Sequence, residues 1–206
     1  MTAGRVIRSF AAPGIGLGDL AFDGRNLWHT DHATSTIYAL DPASGRAIRS
    51  FAAPGTTPVS ITFADSHLWI ATRTPDEIYE VDPVTGRTIR SFVQPATSCW
   101  GLAWDGRTLW YCDTVAGLIY QLDPVSGRVI RSGASPGGGP AGITFDGRHL
   151  YIVDNVGTLI YEIDPVTLTA LRSFSTPAVG GGLVWDGRWL WYAGDATDLI
   201  YQLEII

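Results

Sequence analysis

The chain has 206 residues, of which 46% are hydrophobic and 17% charged, and its net charge is −6. The negative charge argues against a nucleic-acid partner, and no apolar run approaches the roughly 20 residues of a membrane span. All 14 basic residues are arginine, which excludes mechanisms that need a lysine Schiff base or a lysine general base. The N-terminal residues lack the apolar stretch of a signal peptide. The sequence does not otherwise indicate a cellular compartment, so we expect the cytoplasm by default.

A unit of about 41 residues repeats through the whole chain. A leucine followed by an aromatic residue marks each unit, at Leu27-Trp28, Leu68-Trp69, Leu109-Trp110, Leu150-Tyr151 and Leu190-Trp191. An Asp-Pro pair follows the first four of these, beginning at Asp41, Asp82, Asp123 and Asp164. A fixed period of this length is typical of a propeller or a solenoid.

Each unit predicts four short antiparallel strands. In the third unit the strands are expected at 101–104, 109–113, 118–122 and 128–132. The Asp-Gly-Arg segment that follows Trp104 and the Asp-Pro-Val-Ser-Gly segment that follows Leu122 contain the glycine and proline of tight turns. Four strands at this period indicate a propeller blade, whereas the coils of a solenoid are usually shorter and need capped ends.

The chain begins with a fourth strand and stops after a third one. Residues 4–14 closely match residues 45–55, and the last unit breaks off at Ile206. The N-terminal strand can therefore complete the last blade and close the ring without an unpaired end. We expect one all-β domain over residues 1–206, a five-bladed propeller with blade 1 at about 18–56, blade 2 at about 59–97, blade 3 at about 100–138, blade 4 at about 141–179, and blade 5 at about 181–206 plus 4–10.

The residues common to all units have structural interpretations. The aromatic residues of the first and second strands should fill the space between neighbouring blades rather than stack on a ligand. The Ile-Arg pairs of the fourth strand, such as Ile7-Arg8, should alternate inward and outward, with the arginine protecting an exposed strand edge.

The unit Gly-Leu-Ala-Trp-Asp-Gly-Arg-x-Leu-Trp, with its later Leu-Asp-Pro-x-Ser-Gly-Arg, resembles the blades of NHL, streptogramin-lyase-like and glutaminyl-peptide cyclotransferase-like propellers. The cyclotransferases resemble the chain most in having five blades, since streptogramin lyases have seven. An enzyme of that kind would cyclise an N-terminal glutamine with loss of ammonia, using acidic groups at the central channel. The catalytic residues of that family do not map one by one onto this chain, so the resemblance is specific for architecture.

The units differ mainly at one end of the ring, the loop face, formed by the loops after the second strands and the links between blades. The two tight turns of each unit form the opposite end, the turn face. Trp100 replaces glycine, valine or alanine of the other units and is a candidate platform for a cation. The candidate ligand-binding residues are Asp19, His32, Arg73, Cys99, Trp100, Asp113, Asn155 and Asp195.

The loop face also carries almost all of the net charge. It holds one arginine and eight acids, a charge of −7 against +1 elsewhere; the acids are Asp19, Asp31, Asp76, Glu77, Asp113, Asp154, Asp195 and Asp198. A concave acidic mouth favours a cation, an amine or a basic peptide. Where an aspartate begins a turn, as Asp31, Asp113 and Asp154 do, an Asx-turn with its own backbone is the alternative. Asp19 and Asp195 are the candidates for acid–base catalysis if the protein is an enzyme.

No spacing motif enforces a metal site, and no cofactor is predicted. Calcium at the channel mouth is an open alternative that could draw oxygen ligands from Asp19, Asp113, Asp154 and Asn155. Zinc at His29 and His32 is disfavoured because residues three apart on a strand point to opposite faces.

Cys99 and Cys112 lie on strands predicted to pair, so a disulfide and two free thiols both stay open. A nucleophilic thiol at Cys99 would need a base nearby, and His32 is two blades away.

The sequence leads to two functional hypotheses from different classes. The first is a non-catalytic propeller, expected to be a monomer, that binds a small, cationic or peptidic ligand or a protein partner on its acidic loop face. The alternative is a glutaminyl-peptide cyclotransferase-like or lyase-like enzyme with carboxylates at the channel mouth. A lectin with one sugar site per blade is less favoured, because it requires the same polar and aromatic residues in every loop.

Overall fold

The computed structural model describes residues 4–205. These residues form twenty β-strands, and no helix capable of crossing a membrane occurs among them. The strands make five separate four-stranded antiparallel sheets. The sheets are arranged as a five-bladed β-propeller, which confirms the predicted fold class.

The strands follow the order of the chain, and each blade takes four of them. Blade 1 contains β2 (Leu17–Phe22), β3 (Leu27–Asp31), β4 (Thr36–Leu40) and β5 (Ala47–Ala52). Blade 2 contains β6 (Thr56–Ala64), β7 (His67–Thr74), β8 (Asp76–Val81) and β9 (Thr88–Val93). Blade 3 contains β10 (Cys99–Trp104), β11 (Leu109–Asp113), β12 (Leu118–Leu122) and β13 (Val129–Ala134). Blade 4 contains β14 (Pro140–Phe145), β15 (Leu150–Asp154), β16 (Leu159–Ile163) and β17 (Ala170–Ser175). Blade 5 contains β18 (Gly182–Trp185), β19 (Leu190–Gly194), β20 (Leu199–Glu204) and β1 (Arg5–Ala11).

The ring closes through the N-terminal strand, as predicted. Strand β1 pairs antiparallel with β20, so that Phe10 lies opposite Ile200 and Arg5 opposite Glu204. The Phe10 ring packs 5.9 Å from the ring of Trp191, centroid to centroid. Both ends of the chain therefore belong to one sheet, and the last blade has no unfilled edge.

The Asp-Gly-Arg hairpins on the turn face fix the buried tryptophans. The Asp105 carboxylate accepts hydrogen bonds from the two turn amides of Arg107 and Thr108, at 2.8 and 2.6 Å. Its second oxygen accepts one from Trp110 Nε1 at 2.8 Å. In the same way, the indole Nε1 of Trp28 donates to Asp23, and that of Trp191 donates to Asp186. The repeated aspartate thus both caps a turn and satisfies the one polar atom of a core tryptophan.

The core lies in the gaps between neighbouring sheets. Trp28, Trp69, Trp110, Tyr151 and Trp191 are each less than 5% exposed. They pack in clusters with residues of two adjacent blades, as Trp110 does with Ile143 and Ile152. The prediction that the repeated second-strand aromatics are structural is confirmed.

The outer strands correct one expectation. The isoleucine of each Ile-Arg pair faces solvent, with Ile130 53% exposed, and the arginine turns inward. The Arg131 guanidinium lies 5.3 Å from the centroid of the Trp110 ring and donates hydrogen bonds to the carbonyls of Pro165 and Val166 in the next blade. Arginine is preferred inside because it combines stacking with donation to backbone acceptors, which isoleucine cannot provide.

Blades 3 and 4 exchange a phenylalanine–glycine contact, which the other blades make, for a glycine–leucine contact. In blade 1 the Phe51 ring covers Gly86 of the following blade, where a Cβ atom would come within 2.9 Å of the ring. Blade 3 has Gly133 at the phenylalanine position, and blade 4 has Leu168 at the glycine position. A Cβ on Gly133 would lie 2.6 Å from Leu168 Cδ1, so the leucine occupies the space of the missing ring. Leu168 adopts a φ of 58°, a conformation that favours glycine.

Candidate functional site

A small cleft opens on the loop face, where the first strands of the blades surround the central axis. Its lining residues are Gly18, Asp19, Val59, Trp100, Gly181, Gly182 and Asp195, and they close on one another so that no water-sized molecule fits below the mouth. The structure thus brings together three predicted site residues from blades 1, 3 and 5, namely Asp19, Trp100 and Asp195. The four that were not predicted are the repeat counterparts of Asp19 and Trp100, so aligning the units gives a signal for them.

Asp19 forms the buried floor of the cleft. One carboxylate oxygen accepts hydrogen bonds from the amides of Leu20 and Leu183, at 2.8 and 3.1 Å. The other accepts them from Ser60 Oγ and the Ile61 amide, at 2.5 and 3.2 Å. Burial raises the pKa of Asp19 to about 7, against the opposing effect of these four hydrogen bonds. The side chain therefore connects blades 5, 1 and 2 at the axis.

The repeat explains why only blade 1 carries an acid at this position. The counterparts of Asp19 are Ser60, Gly101, Gly142 and Gly182. A Cβ on Gly182 would lie 2.8 Å from the Cα atom of Asp19, so the inner strands approach too closely there for a side chain. Both oxygens of Asp19 are committed to protein donors, and a catalytic role for this residue stays a prediction.

Asp195 presents a different carboxyl group at the rim of the cleft. It follows the end of β19, and its side chain is exposed. Desolvation in the concave mouth and the negative charge of Asp198 raise its pKa to about 7, even though part of its surface meets solvent. Within residues 4–205 its carboxyl group has neither a hydrogen bond nor an ion pair. Asp195 is therefore available to a ligand.

Trp100 narrows the cleft and is itself stacked by an arginine. Its half-buried indole packs beside Ala141 and Leu183 of the next two blades. The Arg73 guanidinium of blade 2 lies 4.4 Å from the centroid of the Trp100 ring. An arginine of the chain thus stacks on the ring that was predicted as a platform for a ligand cation, and the role of Trp100 in ligand binding stays a prediction.

Asn155 lies close to the cleft with an unsatisfied oxygen. Its Oδ1 atom is buried and lacks a hydrogen-bond partner in the described part of the chain. Its Nδ2 atom lies 3.7 Å from the position that a Cβ atom would take if the lining residue Gly181 had a side chain. A buried amide oxygen without a donor is costly, which makes it a place where a ligand N–H group would gain energy.

His32 and His29 do not form a site together. His32 is half-buried in the blade 1 loop, outside the cleft lining, and its Nδ1 atom has no partner among residues 4–205. His29 is fully buried and stacks on Tyr38 with ring centroids 5.0 Å apart. Burial lowers the pKa of His29, so the ring is neutral within the core.

The turn-starting aspartates bond to their own loops. Asp113 Oδ1 accepts hydrogen bonds from the amides of Val115 and Ala116, both at 2.8 Å. Asp31 and Asp154 cap the following amides in the same way. The Asx-turn alternative is confirmed for all three. Within the described chain, no three His, Cys, Asp or Glu side chains are grouped to hold a metal, and the calcium site stays a prediction.

The two cysteines lie on opposite faces of the blade 3 sheet. Cys99 packs with Val59 and Tyr111 between blades 2 and 3, whereas Cys112 packs with Ile143 between blades 3 and 4. Both are free thiols, because the sheet itself separates their side chains. Burial raises the pKa of each thiol well above its usual range, which disfavours a nucleophilic thiolate.

Comparisons with known proteins identify the architecture. No protein-family model and no curated protein sequence matches the chain. The glutaminyl cyclase of Myxococcus xanthus superposes with a TM-score of 0.83 at 13% identity, covering 98% of this chain and 96% of that one. A streptogramin B lyase superposes with a TM-score of 0.59 at 20% identity, covering 90% of this chain and 65% of that one. A catalytically inactive virginiamycin B lyase from Staphylococcus aureus, solved with quinupristin, gives 0.61 at 18% identity, with 96% and 83% covered. At these identities the likeness establishes the propeller fold alone.

Proposed function

We propose that the cleft on the loop face binds a small ligand that carries an amine or another cationic group. The observation that supports this most directly is that the Trp100 ring and the Asp195 carboxyl group line the same cleft. An aromatic face attracts a cation, and the neighbouring carboxylate supplies the opposite charge. No group among residues 4–205 competes for that carboxylate.

The dimensions of the cleft limit the ligand. The cleft is too narrow to enclose a ligand, since it leaves no room for a water-sized molecule below its mouth. A small cationic ligand would therefore lie at the mouth, against the Trp100 ring and the Asp195 carboxyl group. Because the pKa of Asp195 is raised to about 7, cation binding should strengthen as the pH rises through 7.

Calorimetric titration with tetramethylammonium, which does not change charge with pH, and with butylamine tests the proposal. We expect Trp100→Ala and Asp195→Asn each to weaken binding by about tenfold, the loss of one desolvated cation–π or charge contact. Trp189→Ala is the matched control, because Trp189 is also half-buried under an arginine, Arg188 at 4.7 Å, but lies on the turn face. Equal weakening by the control, or no binding by the wild type, would refute the proposal.

The second candidate is cyclisation of N-terminal glutamine. It is favoured by the superposition over nearly the whole length of a glutaminyl cyclase and by an Asp195 pKa near neutrality, which suits proton transfer. In that reaction the α-amine nitrogen attacks the side-chain amide carbon, a lactam C–N bond forms and ammonia leaves. Asp195 would accept the proton of the attacking amine and return it to the departing nitrogen.

Incubation of a peptide with N-terminal glutamine, followed by mass spectrometry, tests this candidate. Loss of ammonia that disappears in Asp195→Asn and persists in Asp198→Asn would support it. Intact peptide after prolonged incubation with wild-type protein that still binds butylamine would exclude cyclisation and retain the binding function.

A further inference from the structure

Arg73, on the loop face, differs from Arg131 and Arg90 of the outer strands. Arg131 donates to Gln121 and to two backbone carbonyls, and Arg90 donates to Glu80 and to the Val125 carbonyl. Arg73 is exposed, and its guanidinium contacts the Trp100 ring without any hydrogen bond or ion pair in the described chain. Its N–H groups are therefore free to bind an anion.

The backbone holds Arg73 in a defined place. Strands β7 and β8 extend further in blade 2 than elsewhere, and Arg73 pairs with Asp76 at the end of their hairpin. Thr72 Oγ1 donates to the Pro75 carbonyl at 2.7 Å, and Gln94 Nε2 donates to the Thr72 carbonyl at 2.6 Å. The guanidinium thus extends from an ordered hairpin to the ring of Trp100, which lines the cleft.

Trp100 consequently lies near one available group of each charge. Arg73 of blade 2 stacks on Trp100, and Asp195 of blade 5 lines the cleft beside the same residue. The two do not form an ion pair with each other, so neither neutralises the other directly. A guanidinium fork matches the geometry of a carboxylate, and a carboxylate matches an ammonium group.

We infer that the cleft recognises a free amino acid or a similarly small zwitterion, with the ammonium group at Asp195 and the carboxylate at Arg73. This inference rests on the proposed binding of an amine and adds a carboxylate subsite to it. Because the cleft leaves no room for a water-sized molecule, the zwitterion lies across its mouth, where Trp100 supplies an apolar surface between the two charged ends.

The experiment compares each free amino acid with its C-terminal amide and with its N-acetyl form by calorimetric titration. We expect the zwitterion to bind at least about tenfold more tightly than the amide, the effect of one charge-assisted interaction. Arg73→Gln should remove the preference for the zwitterion over the amide while leaving binding of the amide unchanged. Arg148→Gln, which changes an exposed arginine on the turn face, is the matched control and should behave like wild type.

The titrations distinguish failure of the carboxylate subsite from failure of the proposed amine site. If the amides bind as tightly as the free amino acids, the carboxylate subsite is refuted and the proposed amine site stands. If the N-acetyl forms bind as tightly as the free amino acids, the proposed amine site is refuted as well. If no amino acid binds while butylamine does, the inference alone is overturned.

Discussion

Two pairs of charged residues at opposite ends of the propeller are used in opposite ways. On the turn face, Asp105 binds its own turn and Trp110, and Arg131 binds the carbonyls of the next blade. On the loop face, Arg73 and Asp195 have no hydrogen-bonding partner within residues 4–205. Polar groups that are satisfied within the protein stabilise it, whereas unpaired groups around a cleft are available to a ligand. The comparison separates residues that hold the blades together from residues that can bind.

Asp19, like Asp31, Asp113 and Asp154, is bonded within the protein on the loop face, and its removal should have the largest effect. Asp19→Ala leaves the amides of Ile61 and Leu183, among others, without their acceptor in a buried position. Each unsatisfied buried group costs about 1–3 kcal/mol, so the free energy of unfolding should fall by about 5 kcal/mol. Urea denaturation measures it, with Ser60→Ala, which removes one of the donors, as the milder comparison at about 1 kcal/mol. A loss below that of Ser60→Ala would show that Asp19 does not connect the blades.

The ionisation of Asp19 should also give stability an unusual pH dependence. Burial raises its pKa from 3.8 to about 7, so the folded state holds a proton that the unfolded chain releases. Stability is therefore highest below pH 4 for this group and is lost as the pH rises through 7, a change on the order of 4 kcal/mol. The lowered pKa of His29 acts in the opposite direction below pH 6.5.

Urea unfolding at a series of pH values between 5 and 8 isolates the contribution of Asp19. The fall in stability with rising pH should be present in wild type and absent in Asp19→Asn. An unchanged slope in the variant would assign the pH dependence to another group. Asp195→Asn serves as control and should retain most of the slope, because water reaches its side chain.

The exchange between blades 3 and 4 should appear as coupling between two residues on the turn face. Gly133→Phe alone places a ring against Leu168 and should cost about 1–3 kcal/mol through overpacking. Leu168→Gly alone removes a leucine from the cluster around Trp110 and relieves the positive φ, so its net cost should be smaller. The double variant restores the arrangement of the other blades, and a double-mutant cycle should give about 2 kcal/mol of favourable coupling. Additive costs would show that the two positions do not compensate.

The smallest effects are expected for the available groups of the loop face. Arg73→Gln should lower the free energy of unfolding by no more than about 0.5 kcal/mol, and Asp195→Asn should not lower it, since neither has a protein hydrogen bond to lose. Thermal unfolding monitored by circular dichroism measures this. A loss of more than about 1 kcal/mol in either variant would mean that the residue belongs to the scaffold, and the contrast between the two ends would no longer hold.

The repeat made the architecture predictable, because the same pattern of strands and turns occurs independently in the sequence of each blade. The match of residues 4–14 to 45–55 also predicted the closure between β1 and β20. The direction of the Ile-Arg pairs was predicted wrongly. Strand alternation says that neighbours face opposite ways, but stacking on Trp110 and the carbonyls of the next blade decide which one faces inward.

The candidate site was predictable as a region but not in detail. Loss of the repeat pattern at Asp19, Trp100 and Asp195 indicated residues that the structure brings to one cleft. The same criterion selected Asp113, whose carboxylate caps its own loop, and Cys99, which is buried between blades. Deviation from a repeat marks both the residues that line the cleft and local packing changes, and spacing alone does not distinguish them.

The sequence by itself determined the number of blades, the strand order, the closing strand and the end of the ring where the blades differ. These depend on local turn chemistry and on periodicity, which every unit repeats. Only the tertiary structure decided that Asp19 is bound by donors from blades 1, 2 and 5 while Asp195 and Arg73 are left unpaired beside Trp100. The reason is physical: the partners of a side chain at the axis come from blades that are far apart in the chain and meet only when the ring closes.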